Sequence, residues 1–130
     1  MKYHLSKTSL SRLNGVNHQL IGVIQLAITL TKMDFGIPAT GGIRTVEQQQ
    51  ELYRQGKSQC DGILIKSNHQ SGNAFDVFAY TNGKASWDFD DLNEVATAIL
   101  AAASRLGVKL AWGGHWNNFV DKPHFELIPA

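Results

Sequence analysis

Ser67-Asn68-His69-Gln70-Ser71-Gly72-Asn73-Ala74-Phe75-Asp76 sets a histidine, a glycine and a carboxylate at the entrance of an apolar run that continues to Tyr80. The run Ala74 to Tyr80 reads as a strand, and Gly72 as the residue that lets the preceding loop turn back. Near the C-terminus Asp121-Lys122-Pro123-His124 supplies a second carboxylate and a second imidazole beside another predicted strand. A loop and two strands carrying these four groups could build a mononuclear hydrolytic zinc site. Catalytic zinc keeps three protein ligands and leaves a fourth position for water. His69, Asp76 and His124 are the three best placed. Asp121 then remains to take a proton from that water and pass it to a leaving amine. Pro123 rules out a regular helix between Asp121 and His124, so a tight turn is expected there. Taken singly, each residue has a plainer reading. A lone histidine is usually exposed or a satisfied core residue, and a lone aspartate before a turn is usually a cap. The spacing is also not one of the established zinc signatures.

The elements around these clusters read outward from them. Leu10 and Leu13 share one helical face in the segment Ser6 to Leu13. Residues His18 to Met33 form a helix with Leu20, Ile24, Ala27 and Ile28 on one stripe, widened by Val23, Leu26 and Leu30. Phe35 to Ile43 is a short strand interrupted by Gly36, Pro38 and Gly41-Gly42. Thr45 and Gln48 match a capping box for a helix that ends near Gln55 and stops at Gly56. Residues Gly56 to Ser71 form a long loop around Ile63 to Ile65. Asn82-Gly83 marks a turn. Asp90 or Asp91 caps a helix through Leu106, with Leu92, Val95, Ala96, Ile99, Ala103 and Leu106 buried and Gly107 past its end. Val108 to Trp112 and His124 to Ile128 are strands, separated first by a Gly113-Gly114 turn. This order predicts an α+β domain with a small, mainly antiparallel sheet packed with helices.

Composition frames the function. The chain of 130 residues fits one domain, residues 1–130, and 43% apolar with 18% charged residues describes an ordinary globular protein. A net charge of +1 gives no general nucleic-acid or membrane signal. Lys2, Lys7, Arg12 and Lys32 all precede the first carboxylate, Asp34, and read as a solvated basic surface. Cys60 is the only cysteine, so no intrachain disulfide forms, and a free, partly buried thiol is expected. No apolar run follows the N-terminal lysine, and Leu20 to Leu30 is about half a membrane span. Synthesis in the cytoplasm without a signal peptide is therefore expected.

Ser67-x-His69-x-x-Gly72-x-Ala74-x-Asp76 with Asp121-x-x-His124 resembles the zinc D-Ala-D-Ala carboxypeptidase and phage L-alanyl-D-glutamate endopeptidase family. Ser9-Leu-Ser-Arg-Leu, Gly42-Ile-Arg-Thr-Val-Glu-Gln-Gln, Leu52-Tyr53, Trp112-Gly-Gly and Pro123-His-Phe-Glu-Leu are similar to its single-domain phage endolysin branch, in that order along nearly the whole chain. The resemblance implies a hedgehog/D-Ala-D-Ala-peptidase-like fold, one Zn2+ per chain held by His69, Asp76 and His124, and Asp121 as acid/base. It implies that Arg44 holds substrate or stabilises the oxyanion, whereas without the resemblance Arg44 reads as a surface ion pair. Ser67 positions the metal loop or a peptide carboxylate. Two departures bear on substrate preference. His115 stands where relatives commonly carry aspartate, and Asn73 where they are often basic; His115 could contact substrate, tune the site's pH response or merely be exposed. Trp116 could line a cleft or pack in the core, Trp112 packs under the last strand, and His4 and His18 are structural. The implied activity is hydrolysis of the peptidoglycan stem peptide at L-Ala–D-Glu by a monomer with no stable membrane association, acting on the cell wall after release. A D-Ala-D-Ala carboxypeptidase or dipeptidase on the same scaffold, or a non-catalytic zinc module, are the alternatives.

Overall fold

The computed structural model describes residues 3–118 and 120–129; Lys2 of the basic N-terminal group lies outside them. Two helices back the fold. α2 (His18–Leu30; α1, Lys7–Arg12, precedes it) is capped by the Asn17 side chain, which accepts from the Gln19 amide. It buries Leu20, Val23, Ile24, Ala27 and Ile28 against α4 (Phe89–Leu106), which answers with Leu92, Val95, Ala96, Ile99 and Ala103. Four of the buried residues of α4, Ala96, Ala98, Ala102 and Ala103, are alanines. Between α2 and α4 in sequence, α3 (Val46–Arg54) begins with the capping box expected from Thr45 and Gln48, both halves of which form.

The strands make two three-stranded antiparallel sheets rather than one. β1 (Phe35–Gly36), β3 (Phe78–Thr81) and β4 (Lys84–Ser86) form the first, in the order β1-β3-β4. β2 (Ala74–Asp76), β6 (His124–Leu127) and β5 (Leu110–Trp112) form the second, in the order β2-β6-β5. The single strand expected over Ala74 to Tyr80 is thus two, divided at Val77. There the Asp76 amide donates to the Gly41 carbonyl at 2.7 Å and the Val77 amide to the Pro123 carbonyl at 3.0 Å, so the chain leaves one ladder before joining the other. The run is apolar on both faces, so no alternation marked the break.

Phe75 and Phe125 face each other across β2 and β6, their rings stacked at 5.2 Å, and Trp112 extends the stack at 6.3 Å. This packing roots the strand ends that carry the two clusters. The β3–β4 turn has Asn82 at φ 53° and Gly83 at φ 75°, the left-handed pair of a type I′ hairpin.

Other expectations change in detail: α2 ends at Leu30 rather than Met33, and the first strand is only Phe35–Gly36. α4 starts at Phe89, with Asp88 at the N-cap making no side-chain bond, while Asp91 accepts from the Ser86 hydroxyl at 2.6 Å. Leu106 is 49% exposed as the last residue of α4, and Leu10 is 46% exposed. Leu13 is already the C-cap of α1, outside the helical periodicity, so its burial says nothing about Leu10; Ser9 is the buried face of α1, its hydroxyl accepting from the Ile37 amide.

Candidate metal centre

His69 sits on a compact turn after the long loop. Ser67 shapes that turn, because its hydroxyl accepts from the His69 amide at 3.1 Å, and the Gln70 amide closes back on the Ser67 carbonyl. Gly72 then reverses the chain at φ +78°, where a Cβ would stand 2.6 Å from the Gly15 carbonyl oxygen. Only glycine fits there. Asp76 ends β2 and His124 begins β6, and the ladder pairs them directly. At the other cluster the Asp121 amide donates to the Gly113 carbonyl and the His124 amide to the Asp121 carbonyl, forming the tight turn that Pro123 favours. Gly113 is obligatory as well, since a Cβ there would overlap the Asp121 carbonyl.

Three atoms converge. His69 Nε2 and His124 Nδ1 are 3.1 Å apart, His124 Nδ1 and Asp76 Oδ1 3.1 Å, and His69 Nε2 and Asp76 Oδ1 3.3 Å. The outward atoms of the same side chains are each held. His69 Nδ1 donates to the Gly42 carbonyl at 2.9 Å, and His124 Nε2 lies 2.7 Å from the Glu126 carboxylate. Asp76 Oδ2 accepts from Arg44 Nη2 at 2.9 Å. A carbonyl and a carboxylate only accept, so each neutral imidazole carries its proton on the outer nitrogen and aims a lone pair inward. Three lone pairs facing one point require a cation. Ligands about 2.0–2.1 Å from a tetrahedral zinc lie roughly 3.3 Å from one another, so these three atoms fit that ion. With no metal bound, a proton serves instead. Burial disfavours a charged His124, but hydrogen bonds to Asp76 and Glu126 outweigh it and raise the imidazole to about 9. Asp76 is pushed up by burial and pulled down further by His69 and His124, ending well below the usual carboxylate range.

Around this centre lies a cleft of about 630 Å³ lined by Lys57, Lys66, Trp87, Trp116, Asp121 and Glu126 besides the converging residues. Burial and the nearby Asp76 charge raise the Asp121 carboxyl. Arg44 is only 9% exposed, with Nε donating to the Thr40 carbonyl, Nη1 to Gln49 and Nη2 to Asp76. It is a buried ion pair with the centre, not a surface one. Ser67 lines the cleft, and Trp116 tilts over the His124 ring at 5.2 Å. His115 is not among the lining residues; it is exposed, edge-on to Trp112 at 4.8 Å. Trp112 packs on Phe125 and donates from its indole to the Lys122 carbonyl. Asn73 faces Asn17 at 3.3 Å, and His4 and His18 are exposed.

Sequence reasoning missed two members. Glu126 binds His124 with one oxygen and takes the Asn68 amide with the other at 2.8 Å. Its i, i+2 spacing from His124 on a strand was the available signal. Gln49, fully buried, accepts from Arg44 and donates to the Ser58 hydroxyl and the Cys60 carbonyl, tying α3 to the cleft wall. No sequence signal separated it from its two neighbouring glutamines.

A two-sheet α+β domain with three side chains placed to hold one metal ion in an open cleft fits the class of small single-metal peptidases. Within that class, the chain belongs to the phage L-alanyl-D-glutamate peptidase family, whose profile matches residues 1–128. It is 36% identical over 118 residues to the L-alanyl-D-glutamate peptidase of Escherichia phage T5, covering 90% of this chain and 84% of that one. It is 34% identical over 101 residues to the peptidoglycan L-alanyl-D-glutamate endopeptidase CwlK of Bacillus subtilis (strain 168), covering 69% of this chain and 59% of CwlK. The crystal structure of the Serratia marcescens L-Ala D-Glu endopeptidase ChiX superposes with a TM-score of 0.84 at 34% identity, over 96% of this chain and 90% of that one.

Proposed function

We propose that the chain is a single catalytic domain that hydrolyses the peptidoglycan stem peptide at the L-Ala–D-Glu bond with one zinc ion held by His69, Asp76 and His124. The observation that carries this reading is the convergence of three inward lone pairs, each fixed by an outer hydrogen bond, at the floor of a cleft. Zinc in such a site supplies a bound water acidified towards neutrality and polarises a carbonyl. Asp121, raised by burial, accepts the water's proton and returns it to the leaving amine of D-Glu. Arg44, immobilised by three acceptors, keeps Asp76 in place and sets its positive charge where it offsets the developing oxyanion. Ser67 holds the His69 turn, and Trp116 shields the His124 face from water. His115 lies outside the cleft lining and takes no part in this reading. The enzyme works as a monomer on the cell wall, without stable membrane association; among the described residues no helix is long and apolar enough to cross a membrane.

Digestion of purified peptidoglycan, followed by mass spectrometry of the new termini, tests the reaction. Free D-glutamyl amino termini are expected; released D-alanine would instead identify a carboxypeptidase. Asp121→Ala is expected to keep its zinc and its fold while cleavage falls about 10²–10⁴-fold. Undiminished turnover in that variant would remove Asp121 from the mechanism, and no turnover in the wild type would leave a non-catalytic zinc module.

A further inference from the structure

Trp87 has no part in the metal centre, yet it is the most exposed aromatic side chain lining the cleft, at 51%. It joins β4 to α4 and is held rather than loose. The Phe78 ring backs the indole at 5.9 Å, and Tyr80 braces Phe78 edge-on at 4.8 Å. The Ser86 hydroxyl donates to Asp91 and accepts from the Asp88 amide, clamping the backbone on both sides of Trp87. Phe89, 61% exposed, continues the apolar surface just beyond, with the Lys122 ammonium 4.6 Å above its ring. A half-exposed indole backed by Phe78, in a cleft whose lining mixes charged side chains with Pro38, Leu52 and Pro123, offers a flat apolar face to a ligand.

The substrate's covalent chemistry says what that surface would meet. In a peptidoglycan stem, L-Ala is the first residue, and its nitrogen is acylated by the lactyl ether of an amino sugar. A scissile L-Ala carbonyl at the metal centre therefore has a pyranose only one residue and one lactyl unit away. At about 3.3–3.6 Å per extended residue, the sugar falls roughly 7–10 Å from the reacting carbon, and Trp87 lines the same cleft as His69, Asp76 and His124. Pyranose rings present an apolar C–H face, which suits a flat indole. Trp116 cannot offer the same surface, because it is half-buried over His124.

We propose that Trp87 is a stacking platform for the amino sugar that carries the stem peptide, a saccharide subsite adjoining the peptidase cleft. This rests on the L-Ala–D-Glu reading. It implies that the protein distinguishes a glycan-borne stem from a free peptide of the same sequence.

The test compares two substrates that share one stem peptide, with and without an N-acetylmuramyl group on L-Ala. For the wild type, kcat/KM is expected to be about tenfold higher with the sugar, which corresponds to about 1.4 kcal/mol. Trp87→Ala should bring the sugar-bearing substrate down to the level of the free peptide, leave the free peptide within about twofold, and be largely rescued by Trp87→Phe. Equal loss on both substrates, or no loss, overturns the subsite. A second measurement stands apart from cleavage: titration of the wild type and Trp87→Phe with the peptide-free disaccharide at millimolar concentration, followed by tryptophan fluorescence. Quenching confined to the wild type supports the platform even if neither peptide is cut at L-Ala–D-Glu, which would defeat the activity reading alone. Identical traces for the two proteins overturn it.

Discussion

At His124 the two ring nitrogens have different tasks, and the residue responsible is Glu126. Its carboxylate, 2.7 Å from Nε2, fixes the tautomer that turns the Nδ1 lone pair towards His69 and Asp76, and it makes the imidazole a more basic ligand. The hydrogen bond from His124 in turn holds the Glu126 carboxyl below its ordinary range. Glu126→Gln keeps the shape and an acceptor but loses the charge, whereas Glu126→Ala loses both. Zinc affinity, read by competition with a chromophoric chelator, is expected to fall about tenfold in the first and nearer 100-fold in the second. Unchanged affinity in both would show that the Asp76 and His69 contacts alone organise His124. At this scale the sequence was informative about the three side chains that converge, His69, Asp76 and His124, because histidine and aspartate advertise their chemistry. It was silent about their outer partners. A glutamate two places beyond a histidine is ordinary in any strand, and the Gly42 carbonyl that holds His69 has no side-chain signature at all.

The elements that carry the site depend on close backbone approaches more than on propensity. Gly72 lets the His69 loop lie against the segment before α2, where the Asn17 amide donates to the Gly72 carbonyl at 2.8 Å. Gly72→Ala would force an L-residue to φ +78° and press a methyl group into the Gly15 carbonyl. A destabilisation of about 2–3 kcal/mol is expected from urea unfolding of the metal-free protein. A loss below half a kcal/mol would mean that the loop can shift as a unit. The helices were legible because their signals are local: the Thr45–Gln48 capping box, the apolar stripe of α2 and Gly107 at φ 70° beyond α4. The division of Ala74 to Tyr80 was not. Its cause lies in the Gly41 and Pro123 carbonyls, far away in sequence, which capture the Asp76 and Val77 amides.

For the whole molecule, a metal held at this centre would couple its binding to stability, and pH would separate the two contributions. In the metal-free protein His124 is raised from 6.5 to about 9, so its charged form favours the fold. That stabilisation is complete below about pH 6.5, the unfolded value, and disappears as pH rises through about 9. Asp76 is depressed, so its contribution is present above the unfolded carboxylate value near 4 and is lost on acidification. Metal-free protein should therefore melt highest between about pH 4.5 and 6.5 and lower progressively towards pH 9. With zinc bound, the ion takes the place of the proton among the three lone pairs, and deprotonated ligands become the stable form. The loaded protein should hold its melting temperature across the same range, so the gap between zinc-loaded and EDTA-stripped samples widens from pH 5.5 to pH 9. Thermal melts at pH 5.5, 7.5 and 9 with and without chelator measure that gap. Curves that stay parallel would mean that the proton shared by His124 and Asp76 and the metal do not occupy the same place.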